Sequence, residues 1–256
     1  MSNADYHAQT PISKSGLDLI RRCPLLYKHR RENPLFPTDA MRMGTLVHTA
    51  ILEPHLLADL MVAPKIDRRT AAGKAEWEAF KVESEGKELV TDDELTKLNS
   101  IRDAVHAHPA ASRALGMIAE VETSIFWTDP ATGIECRCRP DAVLANGLMI
   151  DVKTTRGASA DSFAKSIAQY RYHVQAAFYS DGYEAAYGQK PKGFMFIAVE
   201  TESPFLTACY VASEQMTSRG RADYQADLVT YRQCLDTDTW PGLAEQPVMI
   251  DLPKWA

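Results

Sequence analysis

The stretch from Arg139 to Lys153, Arg-Pro-Asp-Ala-Val-Leu-Ala-Asn-Gly-Leu-Met-Ile-Asp-Val-Lys, constrains the fold more than any other part of the sequence. It reads as two β-strands around a tight turn, and it carries Asp141, Asp151 and Lys153. Alternation along the second strand puts Leu148, Ile150 and Val152 on one face and Met149, Asp151 and Lys153 on the other. An acid and a lysine therefore share a face in a run apolar enough to be buried. Burying charge is costly unless a metal or an opposite charge offsets it.

The turn decides whether Asp141 joins them. A two-residue loop at Asn146-Gly147 pairs Ala142 with Asp151 and sends Asp141 to the opposite face. A three-residue loop of Ala145, Asn146 and Gly147 pairs Leu144 with Leu148 and Asp141 with Asp151. That loop needs a left-handed residue in its last position, which Gly147 supplies. Directly opposed residues have Cβ atoms roughly 4.5–5.5 Å apart, where like charges repel. Two facing carboxylates have little structural merit, but they suit a hard divalent cation. The second register is the expectation.

Composition narrows the partners. Net charge is −6 over 256 residues, so positive charge for a nucleic acid must be gathered in a groove. The densest source is Arg21-Arg-Cys-Pro-Leu-Leu-Tyr-Lys-His-Arg-Arg31, where Arg21, Arg22, Lys28, Arg30 and Arg31 surround Tyr27 without an acid. Such a run is usually a solvated face; in an acidic chain phosphate contact is the stronger reading. Lys65, Arg68 and Arg69 form a second source, in a polar loop-and-helix region. The cysteines number five and are scattered, as free thiols in a reducing cytoplasm are. No apolar run reaches membrane-spanning length, and the first residues lack a signal-peptide core. A cytoplasmic, single-domain chain spanning 1–256 is expected, without repeats or an interior linker.

Elsewhere, residues 1–11 read as a loose lead-in. A helix opens at Ser13 or Ser15, and Pro24 marks a kink or a new first turn. Leu46, Val47, Ala50 and Ile51 make a helical stripe with His48 beside it. Thr91-Asp-Asp-Glu94 is a capping box. Ala119–Trp127 and Ile134–Ala145 read as strands that form a three-strand meander with the hairpin, with Glu122 on the first. Helices follow over about 158–170 and 172–187, where Tyr172, Gln175 and Tyr179 share a face. Phe194–Val199 is a buried strand after a crossover, Phe205–Val211 its neighbour, and Ser213 to about Leu235 a helix.

Taken in order, Gly44-x-x-x-His48, Glu122, Pro140-Asp141, Asp151-Val-Lys153 and Gln175-x-x-x-Tyr179 resemble the RecB-like branch of the PD-(D/E)xK nucleases. Ser15-x-Leu17, Cys23-Pro24-x-x-Tyr27 and the tail Trp240–Trp255 look closest to the RecE-type (exodeoxyribonuclease VIII) exonuclease domain of phages and prophages. The resemblance implies an α/β fold with a mixed central sheet flanked by helices. It implies an Mg²⁺- or Mn²⁺-dependent exonuclease that digests linear double-stranded DNA 5′ to 3′ in phage-type recombination. By that resemblance Asp141, Asp151, His48 and the Val152 carbonyl hold the metal. Lys153 acts in catalysis as water-orienting group, base or electrostatic stabiliser, with Glu122 near the site and Gln175 and Tyr179 positioning the DNA backbone or Lys153. Thr154, Arg156 and Tyr172 join the basic runs as DNA contacts. Imidazole suits Mn²⁺ better than Mg²⁺. A ring, of four subunits rather than three, and a RecT-like single-strand annealing partner are further implications, in a bacterial or phage-infected cell. Competing readings are a nuclease with an iron–sulfur cluster beginning at Cys23, an inactive DNA-binding subunit, and a Schiff-base enzyme built on Lys153.

Overall fold

The hairpin adopts the three-residue register. Ala142 faces Ile150 and Val143 faces Met149, which sets Asp141 opposite Asp151. Gly147 takes φ 83°, its N–H donates to the Leu144 carbonyl at 2.8 Å, and the Asn146 side chain accepts from the Leu148 N–H at 3.0 Å. The structure, a computed structural model, describes residues 1, 3–36 and 38–252.

The first half of the chain is mostly helical. It contains α1 (Asn3–His7), α2 (Lys14–Arg22), α3 (Pro24–Glu32), α4 (Asp39–Leu52), a 3-10 turn (Pro54–Asp59), β1 (Met61–Val62), α5 (Ala71–Glu83), β2 (Leu89–Val90), α6 (Asp92–Ala107) and α7 (Pro109–Leu115). Next come β3 (Ile118–Val121), β4 (Ile125–Thr128), β5 (Glu135–Cys138), β6 (Ala142–Leu144) and β7 (Leu148–Thr155). The chain continues through α8 (Ala160–Gln169), α9 (Tyr172–Tyr187), β8 (Gly193–Glu200), β9 (Thr207–Val211) and α10 (Glu214–Thr237).

The main sheet runs β3-β6-β7-β8-β9. Only the β7–β8 pair is parallel, as the α8–α9 crossover between them requires. The period of two along β7 and β8 divides the core. Met149, Phe194 and Phe196 pack with Phe163, Val174, Phe178 and Tyr224 from α8, α9 and α10. Ile150, Val152, Ile197 and Val199 pack with Val47 and Ile51 of α4 and Leu98 and Ile101 of α6. Each such side chain, fully buried, contributes about 1.5–3 kcal/mol. The helices start where their caps say: Ser13 accepts from the Gly16 N–H, Pro24 opens α3, and Thr91 and Glu94 form the reciprocal capping box.

Three expectations need correction. The strand expected over Ala119–Trp127 is two, broken at Glu122, which is left-handed at φ 47° and donates its N–H to the Asp141 carbonyl at 3.0 Å. Ile134–Ala145 is likewise two strands. Pro140 has no N–H for a ladder, and there the chain leaves the small β4–β5 sheet for the main one. The expected three-strand meander is therefore five strands, β3 to β7, in two sheets. The lead-in is not loose either: α1 buries Tyr6 beneath the guanidinium groups of Arg137 and Arg139, 4.6 and 4.4 Å from its ring centre. In the tail, Trp240 stacks on Tyr27 at 5.9 Å, whereas Trp255 lies outside the described residues.

Candidate active site

The site forms where β6 parts from β7. In the observed register Pro140 stands opposite Val152, and it can offer no N–H to the Val152 carbonyl. Asp141 replaces the missing strand: its Oδ2 accepts the Val152 N–H at 2.7 Å. The N–H and C=O of one strand residue point to the same edge, so the Val152 carbonyl faces the gap. The buried stripe of α4 (Leu46, Val47, Ala50, Ile51) fixes His48 above it, with Nδ1 3.2 Å from Asp141 Oδ2.

Asp151 is 1 % exposed. Its Oδ1 accepts from Gln175 Nε2 at 2.5 Å. Its Oδ2 is ion-paired with Lys153 Nζ at 2.6 Å. Lys153 also sits over the Tyr172 ring, 4.7 Å from its centre. Gln175 thus holds Asp151, where the sequence suggested that it positions Lys153 or the DNA backbone. Tyr179 packs edge-on against Phe194 at 6.1 Å.

Burial is the largest influence on every group here. It raises the Asp151 pKa, and the neighbouring Asp141 charge adds to it, reaching about 6. Burial would raise Asp141 as well, but His48, Lys153 and the Val152 N–H hold it below the usual carboxylate range. For His48, burial is outweighed by Asp141, and the imidazole pKa rises. For Lys153, burial is outweighed by Asp151 and Asp141, so the ammonium is held more firmly than usual. A lysine so held stabilises negative charge well and makes a poor base or Schiff-base nucleophile.

These shifts set a pH dependence. Asp151 binds its proton more tightly folded than unfolded, so its contribution to stability is full below about pH 4 and lost as pH rises through about 6. Raised His48 acts in the same direction at higher pH, while lowered Asp141 opposes both, contributing above its unfolded pKa and losing that as pH falls. The melting temperature of the wild type relative to Asp151→Asn, measured without divalent ions, should fall from about pH 4.5 to 7. A rising difference would contradict the burial of this acid.

The remaining sequence candidates divide. Glu122 pairs with Arg139 at 3.4 Å. Tyr27 is a core residue, 8 % exposed, with its hydroxyl 3.2 Å from that of Tyr231; its ring is closed to DNA. Lys28 pairs with Asp238 at 3.3 Å and Arg31 donates to Tyr231 at 3.3 Å, so both lean on α10 and the tail. Arg21 and Arg22 are exposed, and Arg30 lines a cleft with Arg137. Lys65 faces Asp92 at 3.7 Å, Arg69 grips Asp67 at 2.9 Å, and Arg68 stacks on Trp77 at 3.7 Å. Thr154, Arg156 and Tyr172 line a cleft of about 640 Å³ beside Lys153. Sequence reasoning missed Lys14 of α2, whose Nζ lies 5.9 Å from the Tyr172 ring centre. It follows the cap serine and belongs to no motif, so nothing in the pattern marked it.

Gly44 lies one helical turn before His48, and a Cβ there would meet nothing within 4 Å. Gly44→Ala should stabilise the protein by about 0.5–1 kcal/mol. Thermal melting checks it, and a loss of stability would show the space to be filled.

A mixed sheet whose hairpin carries Pro-Asp and Asp-x-Lys, followed by a helical crossover to a parallel strand, defines the PD-(D/E)xK nuclease fold. The chain belongs to the family of PDDEXK-like domains of unknown function DUF3799, which matches residues 13–253. A crystal structure from Eubacterium rectale, of a protein provisionally designated an exonuclease, is similar over 100 % of this chain and 96 % of its own, with TM-score 0.68 and 10 % identity. That likeness is one of fold. An alkaline exonuclease from Laribacter hongkongensis aligns over 93 % of this chain and 97 % of its own, at 10 % identity and a TM-score of 0.34, too low to bear on the structure. No curated protein matches the sequence.

Nucleases of this fold generally use divalent metals, and the donors here fit one. Asp141, His48 and the buried Asp151 lie together at the gap beside β7, toward which the Val152 carbonyl is also directed. Among the described residues no three His, Cys, Asp or Glu side chains form a ready cage; His48 turns to Asp141 and Lys153 to Asp151. Mg²⁺ needs no such cage, since it keeps several waters and binds through one or two carboxylates plus phosphate oxygens. The cysteines form no four-ligand group either: Cys136 and Cys138 are buried on β5, Cys234 is buried on α10, and Cys23 lies against the Pro241 carbonyl at 3.6 Å.

Proposed function

We propose that the protein is a divalent-metal-dependent deoxyribonuclease, an exonuclease acting on the ends of linear double-stranded DNA. The observation that carries this is the pair of facing carboxylates, Asp141 and the buried Asp151, with Lys153 Nζ 2.6 Å from Asp151 Oδ2. Mg²⁺ or Mn²⁺ in the gap would supply a nucleophile from water and neutralise charge on the phosphate. The chain's own groups do the rest. Gln175 fixes the Asp151 carboxylate, His48 orients Asp141, and Asp141 holds the strand edge through Val152. Lys153 stabilises the negative charge that builds on the phosphate oxygens, as a fixed donor in a dry site can.

Digestion from 5′ to 3′, a place in phage-type recombination beside a single-strand annealing protein, and a cyclic homo-oligomer complete the proposal, following the RecE-type resemblance. A closed ring would line a channel with several copies of the exposed Arg21 and Arg22 and keep a linear end threaded between cuts. Digestion should then be processive and weaken as salt rises. The test is linear duplex labelled at the 5′ or the 3′ end, with a closed circle as control, in Mg²⁺, Mn²⁺ or chelator. Loss of linear duplex only, and only with metal, is the expected result. Cleavage of the circle would overturn the exonuclease, and inertness of every substrate the nuclease. Light scattering showing a monomer would overturn the ring alone.

A further inference from the structure

Beside the acids and Lys153 stands an aromatic arrangement that the hydrolysis itself does not use. Tyr170 and Tyr172 flank Arg171, which is left-handed at φ 53°, a conformation costing a non-glycine residue about 1–2 kcal/mol. The Arg171 guanidinium is held by Asp18 at 3.0 Å and by Asp227. The turn so fixed brings the two tyrosines together: their rings stack with centres 5.6 Å apart and planes 29° from parallel.

One end of this stack is the catalytic lysine, with Lys153 Nζ 4.7 Å from the Tyr172 centre. Lys14 Nζ approaches the same ring at 5.9 Å and donates to the Tyr170 carbonyl at 2.6 Å. The other end is open: Tyr170 is 53 % exposed. It faces the cleft of about 640 Å³ that also presents Thr154, Arg156, Lys165 and Gln169. A rigid stack that begins at Lys153 and ends in an exposed aromatic face, with cations on the cleft wall, suits one occupant. The face takes a flat π-system, and Arg156 and Lys165 take the phosphate attached to it. Every base has such a face, but within a duplex both faces are covered by neighbours. Only a base released from the stack can lie on Tyr170.

We propose that the Tyr170–Tyr172 step is a stacking platform for one unpaired base of the strand being cut, next to the phosphodiester held at Asp141, Asp151 and Lys153. The inference rests on the nuclease reading and adds that the strand enters the site locally single-stranded. Arg171 is then a positioning residue, and Tyr170 determines which strand form binds.

The test compares wild type, Tyr170→Ala and Tyr170→Phe on strands carrying one abasic nucleotide at successive positions. Tyr170→Ala should raise KM roughly tenfold, the loss falling on KM rather than kcat, and Tyr170→Phe should restore it. At one position, the abasic nucleotide should weaken the wild type by the same factor and weaken Tyr170→Ala no further. Affinity for a fluorescent single strand, measured without divalent ions, should fall in Tyr170→Ala by a like factor. A wild type that cleaves while Tyr170→Ala matches it, or abasic and Tyr170 effects that multiply independently, would overturn the platform and leave the nuclease standing. A wild type that neither binds nor cleaves DNA would overturn both.

Discussion

Asp151→Asn should cleave DNA on the order of a thousandfold more slowly than the wild type, or not at all, and should melt no lower. Burial and the facing Asp141 both resist ionisation of this carboxylate, so an amide of the same shape relieves the fold while removing a metal oxygen. Lys153→Ala should lose cleavage by a factor of about 10²–10³, the usual cost of one preorganised donor at a developing charge. It should still bind Mn²⁺ in calorimetry, because an ammonium is no ligand. Asp141 differs from Asp151 in a way that the hairpin's geometry dictates. Its Oδ2 is the acceptor for the Val152 N–H, and Asp141→Ala would leave that group without a partner, at about 1–3 kcal/mol. Asp141→Asn keeps an acceptor and should lose activity without that penalty. Wild-type rates in Asp151→Asn would put the chemistry elsewhere, and loss of Mn²⁺ binding in Lys153→Ala would overturn the division of roles.

The sequence carried the hairpin because both its signals are local. Gly147 selects the turn, and the period of two along β7 sorts Asp151 and Lys153 from Ile150 and Val152. Helix limits were legible for the same reason, at Ser13, Pro24 and Thr91. What it did not carry were decisions made by distant partners. The break at Glu122 depends on the Asp141 carbonyl, across two strands. Gln175 was marked by its spacing, but its bond to Asp151 depends on how α9 lies over β7. Tyr27 stands among arginines in the sequence, and only the approach of Tyr231 and Trp240 from the far end of the chain makes it core. Basic residues in a run say nothing of where each points, and α3 commits two of its own, Lys28 and Arg31, to partners on α10 and at its C-terminal end.

Gly220→Ala should destabilise the protein by about 3 kcal/mol, the upper part of the range for an overpacked interior. α10 crosses α9 so closely at this glycine that an added Cβ would lie 2.0 Å from the His173 carbonyl oxygen and 2.5 Å from its carbon. Both are backbone atoms in the first turn of α9, so no side chain can swing away and a helix must move. For a chain of this length, such a loss lowers the melting temperature by roughly 6–12 °C. The displaced turn carries Tyr172 and leads into Gln175, whose amide holds Asp151. Cleavage should therefore fall even at temperatures where the variant is fully folded. Gly44→Ala, in an equally helical setting with open space around the new methyl, should shift stability the opposite way. Melting curves of the two variants against wild type separate helix propensity, which favours alanine at both positions, from packing, which forbids it at one. A Gly220→Ala protein melting within about 2 °C of wild type would mean that α9 and α10 do not meet at this point, and the support of Gln175 would then need another source.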